Sequence, residues 1–135
     1  MRKYLFYTLI FVSVLLAGCD PGQSLVFVNK TASDAFVDIK TRIDSADDYT
    51  INLQYPLKEL DSVIVIKPES FYEISFGIGT WHHETMNDLS RIIKEIKIES
   101  ESKTVIYNSE KQIEELLKNN RKGSIGSAKI NIEID

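Results

Sequence analysis

The chain predicts a mainly β protein, an antiparallel sandwich of two sheets with one helix near its end. Two observations carry this. Short apolar or alternating runs recur from Leu25 to Ile134, most of them bounded by turn clusters. One stretch, Glu110 to Lys118, instead carries its apolar residues Ile113, Leu116 and Leu117 at helical spacing.

The elements follow in order. Leu25–Val28 (LVFV) is β-branched and aromatic and reads as a strand. NKTASD, residues 29–34, is a turn cluster, and alternating Ala35–Lys40 returns as the second arm of a hairpin. Residues 41–48 are polar and acidic, a loop. Tyr49, Ile51 and Leu53 alternate with Thr50, Asn52 and Gln54, the mark of a half-buried strand. Pro56–Leu60 reads as one helical turn with Pro at its first position. Ser62–Ile66 (SVIVI) is continuously apolar after its Ser and reads as a central strand, ended by Pro68. Phe71–Ile78 places Phe71, Glu73 and Ser75 on one face and Tyr72, Ile74, Phe76 and Ile78 on the other. Gly77 and Gly79 open a loop through Trp81, His82, His83 and Glu84, followed by a helical turn at Met86–Ser90. Ile92–Glu99 and Thr104–Tyr107 are partner strands around the Ser100–Ser102 turn. Ser109 with Gln112 fits a capping box for the helix. Ala128–Ile134 alternates and is the last strand.

Runs of strands with a single helix pack best as two sheets, and an immunoglobulin-like sandwich is the first arrangement predicted. The inter-sheet disulfide of antibody domains is excluded, because Cys19 is the sole cysteine. A β-rich α+β roll is the alternative.

The first twenty residues say where the protein resides. Arg2 and Lys3 precede an almost unbroken apolar run, Tyr4–Leu16, and then Leu16-Ala17-Gly18-Cys19. A basic start, a short apolar core and small residues at the cut are the parts of a secretory signal. The run is too short for a comfortable transmembrane helix, which needs about 20 residues. Leu16-Ala17-Gly18-Cys19 resembles the lipobox of bacterial lipoproteins. The resemblance implies cleavage before Cys19 and acylation of its sulfur and new amine. Several acyl chains, at about 0.8 kcal/mol per buried methylene, hold a protein stably on a bilayer. The expected organisation is a signal peptide over 1–18, a lipidated tether over 19–24 and one domain over 25–135. The residue mix, rich in Ile, Lys, Asn, Ser and Glu, resembles small lipoproteins of the Bacteroidota. An Asp after the lipidated Cys, here Asp20, holds enterobacterial lipoproteins at the inner membrane. Other phyla sort differently, and the outer membrane is the preferred expectation here.

The 117 residues from Cys19 onward hold 14 basic and 20 acidic side chains, a net charge of −6. That balance argues against nucleic acid, which requires a basic face. It leaves membrane attachment to the lipid.

Chemistry-bearing clusters are few. His82, His83, Glu84 and Asp88 form the sole His-bearing group. Neighbouring histidines on an extended chain point apart, and a zinc site requires three or four converging ligands. No metal and no cofactor are therefore expected. Asp44, Asp47 and Asp48 lack the alternation, Gly and final Glu of a calcium loop. No catalytic residue is assigned, and a non-enzymatic protein is expected. Asp44-Ser45-Ala46 and Asp61-Ser62-Val63 match a three-residue O-glycosylation pattern of Bacteroidota, which implies sugar on Ser45 and Ser62. Trp81 and its neighbours offer either a binding platform or a plug for the core, and the plug is favoured because the sole Trp of a small domain is usually well buried.

The function expected is a lipid-anchored, non-catalytic binding or structural module with a protein or glycan partner. The alternatives are an inhibitor or immunity-type lipoprotein and, last, a metal-dependent hydrolase.

Overall fold

A computed structural model describes residues 22–42, 60, 62–122 and 128–135. The signal and lipobox, the strand expected over 49–54 and most of the helical turn at 56–60 lie outside the described residues. The fold is mainly β. Strands β1 (Gly22–Asn29), β2 (Ala35–Thr41), β3 (Ser62–Ile66) and β4 (Phe71–Ile78) precede helix α1 (His83–Ile92). β5 (Ile93–Glu99), β6 (Thr104–Tyr107), helix α2 (Glu110–Asn120) and β7 (Lys129–Ile134) complete it.

The strands form two sheets. One has the order β4-β1-β7 and the other β3-β2-β5-β6. All pairings are antiparallel except that of β1 with β7, which is parallel. Leu25 and Phe27 of the first sheet and Val37, Ile39 and Ile96 of the second are fully buried in one apolar cluster. Ile113 and Leu117 of α2 and Leu89 of α1 join it.

Among the described strands the chain changes sheets four times, twice at each end of β1. At the Asn29 end, residues 30–34 carry it from β1 to β2, and the turn 67–70 carries it from β3 to β4. At the Gly22 end, α1 connects β4 to β5 and α2 connects β6 to β7. The two helices pack on each other there.

Several expectations need correction. β1 and β2 are not a hairpin, because they lie in different sheets. The cause is Asn29, which is fully buried. Its amide donates to the carbonyls of Ser33 (2.8 Å) and Ile66 (2.9 Å). Its Oδ1 accepts from the Thr31 backbone (2.9 Å) and hydroxyl (2.7 Å). These bonds use both donors and both lone pairs of the amide, and they bend the chain toward the second sheet. β1 also begins at Gly22, so residues 22–24 of the expected tether belong to the sheet.

Among the described residues β3, expected as a central strand, is one of the two edge strands of its sheet, with Ile64 and Ile66 buried but Val63 and Val65 facing out. A second helix, α1, stands where one helical turn was expected. Its apolar residues Met86, Leu89 and Ile92 are spaced three apart and all buried. The helix runs directly into β5, and Ile92, expected as the first residue of that strand, is instead the last of α1. The parallel β1–β7 pair was also not anticipated. It joins the two ends of the domain, and no local signal encodes it.

Helix α2 matches its sequence pattern and runs two residues further. Ser109 is its N-cap, with Oγ accepting from the Gln112 backbone (3.3 Å). Gln112 reaches back to the backbone N–H of Asn108 (3.2 Å) rather than to that of the cap itself.

Candidate functional site

The loop that carries Trp81 begins where β4 leaves the sheet. Gly77 (φ 87°) and Gly79 (φ 147°) adopt backbone angles that L side chains rarely accept, so the turn requires glycine there. It swings Trp81 inward. Trp81 is 1% exposed and packs edge-on to Phe76, with ring centroids 5.1 Å apart. Its indole N–H donates to the carbonyl of Ser24 (3.0 Å), which satisfies the polar edge of a buried ring. Gln23 supports the same loop by donating to the carbonyl of Thr80 (3.3 Å). Trp81 thus fills the Gly22 end of the core, and no aromatic platform stands open there.

His82, His83 and Glu84 are exposed beside it. His82 caps α1, and its Nε2 shares a hydrogen bond with the Thr80 hydroxyl (2.9 Å). The Thr85 hydroxyl accepts from the His82 backbone N–H (3.0 Å) and donates to its carbonyl (2.9 Å), closing the first turn. His83 points elsewhere, with Nδ1 3.8 Å from Glu114 on α2. Glu114 belongs mainly to Lys118, whose ammonium lies 2.7 Å away and holds that carboxyl below the usual range. Asp88 lies 3.8 Å from Arg91, one turn along its own helix. The four groups of the sequence cluster therefore do not converge. Among the described residues no three His, Cys, Asp or Glu side chains are arranged to hold a metal ion.

Cys19, Ser45, Asp44, Asp47 and Asp48 lie outside the described residues. Ser62 is half-buried, the first residue of β3, paired opposite Ile39.

The surface feature that sequence reasoning missed is on the outer face of the second sheet. Phe36 on β2 pairs with Val65 on β3, and Asp38 with Val63. Phe36 (41% exposed), Val65 (50%) and Val63 (64%) form an apolar strip across β2 and β3 on that face. Beside it runs a row of charges, in which Lys40 bonds Glu95 (2.6 Å) and Lys97 bonds Glu99 (2.7 Å). Phe36, Asp38, Val63, Lys97 and Glu99 line a shallow groove there. The signal lay in SVIVI itself. Strand residues alternate faces, so an apolar run on an edge strand must turn every other side chain outward. Scans of protein-family models, curated proteins and solved structures returned no match to this chain.

Proposed function

We propose that this protein is a lipid-anchored module of the cell envelope that binds a partner without catalysis, on an immunoglobulin-like sandwich. The anchor reading rests on Leu16-Ala17-Gly18-Cys19 behind an apolar run. The sandwich reading rests on seven described strands divided three and four around one core, the division found in that fold. The observation that carries binding is the strip of Phe36, Val63 and Val65. Single exposed apolar residues are ordinary, but three side by side on the outer face of one sheet, rimmed by charges, match the anatomy of an interface.

The test is a photoreactive amino acid placed at Val63 in the intact chain, with Ser102 on the β5–β6 turn as control. Illumination of whole envelopes should give a discrete adduct at position 63 and none at 102. Identical adduct patterns at both positions would remove the binding reading. Separately, Cys19→Ser should abolish acylation as read by intact mass; a processed, acylated Cys19→Ser protein would remove the anchor reading.

A further inference from the structure

The position of Gly22 in the fold decides which end of the domain an anchor at Cys19 would hold against the membrane. Two residues, Asp20 and Pro21, lie between Cys19 and the start of β1, and the three extended steps from Cys19 to Gly22 reach about 10 Å. The acyl chains on Cys19 therefore keep Gly22 within about 10 Å of the bilayer surface, whatever path the chain takes. Gly22 stands opposite Ile78, the last residue of β4. Ile78 is 76% exposed, more than any other large apolar side chain among the described residues. The same end holds the Thr80–His83 loop, both helices and Lys129 at the start of β7. The far end, with the turns at 30–34, 67–70 and 100–103, lies a full strand away, roughly 23 Å at 3.3 Å per residue.

We infer that the helix-capped end of the domain rests on the phospholipid bilayer, with Ile78 at its rim dipping into the interface. This deepens the lipoprotein reading and rests on it. The chemistry of the rim fits a headgroup layer. Ile78 supplies the apolar contact. Exposed His82 and His83 border it, and Lys118 and Arg121 flank Met86 in a shallow depression beside His83. Glu84 is the exposed carboxylate in the first turn of α1 and stays in the hydrated headgroup zone. The contact is therefore interfacial and not inserted. Its consequence is that the histidine loop faces lipid, while Phe36 and Val65, at the Asn29 end of their strands, remain open to a partner.

Cys19 is the only thiol, so acylation leaves the wild-type chain without a labelling site. The full chain is made with Ile78→Cys, His83→Cys or Ser102→Cys, labelled with a thiol-reactive fluorophore, and reconstituted into phosphatidylethanolamine/phosphatidylglycerol vesicles containing spin-labelled lipid. The expected result is no label on wild type, one label per variant, and quenching at positions 78 and 83 several-fold stronger than at 102. One label per variant with equal quenching at all three positions, or stronger quenching at 102, overturns the orientation and leaves the anchor standing. A wild-type chain that takes one label has a free Cys19 and overturns both.

Discussion

The two ends of the molecule solve the same problem with opposite chemistry. Each must send the chain across from one sheet to the other twice. At the Asn29 end the crossings are short turns, and the bond is polar: one buried amide ties residues 31 and 33 of the first crossing to Ile66, where the second begins. The Asn29 backbone N–H adds a bond to the Ser70 carbonyl (2.9 Å), across the second crossing. At the Gly22 end the crossings are helices, and the bond is apolar. Trp81, Leu89, Ile113 and Leu117 fill the space beneath α1 and α2, with a single indole hydrogen bond to Ser24. A short turn exposes backbone groups that must be paired, so it selects an Asn with four bonds to make. A helix satisfies its own backbone, so its crossing needs only volume.

This contrast can be broken at either end. The largest effect should come from Trp81→Ala, which removes the ring from a closed apolar end and should cost about 3–5 kcal/mol in a denaturant melt. A loss below about 1 kcal/mol, typical of surface positions, would contradict the plug. Trp81→Phe sharpens the point. It keeps much of the volume but removes the indole hydrogen bond to the Ser24 carbonyl, a cost of about 0.5–1.5 kcal/mol.

Next comes Asn29→Ala. It strands several backbone groups at once, and with about 1–3 kcal/mol for an unsatisfied buried group the total should be roughly 2–4 kcal/mol. Asn29→Asp tests the polar logic directly. The new carboxylate would be buried against the Ser33 and Ile66 carbonyls, which raises its folded pKa above the unfolded value. Its stabilising form is then the protonated one, complete below the unfolded pKa of about 3.9 and lost as pH rises through the folded value. Melts at several pH values should show this variant closest to wild type in acid. A variant that instead gains on wild type as pH rises would refute the assigned bonds.

Ser109→Ala removes the N-cap of α2 and should cost about 1 kcal/mol. An unchanged melting midpoint would show that packing at the Gly22 end alone holds the helix.

The smallest effect is acid sensitivity at the surface. Lys40 lowers Glu95, Lys118 lowers Glu114 and Lys122 lowers Glu133, each by a direct hydrogen bond. A lowered carboxylate contributes stability that is present above its ordinary value of 4.5 and lost as pH falls through the folded value. All three pairs lie at the surface, with Glu95 and Glu114 half-buried and their lysine partners open to solvent, so salt should screen the gain, and stability near neutral pH should fall only slightly in high salt. A large salt-dependent loss would mean that the charge lattice, not the core, holds the sheets.

The amino-acid sequence alone determined what depends on a residue and its near neighbours. Alternation placed β2, β4 and β7 close to their observed ends, and Ser109 with Ile113, Leu116 and Leu117 placed α2. These signals are local, because a strand repeats every two residues and a helix every 3.6. Within the candidate site, the glycine turn and the exposed histidines were legible for the same reason. Only the tertiary structure decided which strands became neighbours. It put β1 beside β7 and away from β2, and turned Val63 and Val65 outward. Those outcomes rest on contacts between residues far apart in the chain, such as Asn29 with Ile66 and Trp81 with Ser24. Their energy comes from burial and from paired backbone groups, which exist only once the sheets have met.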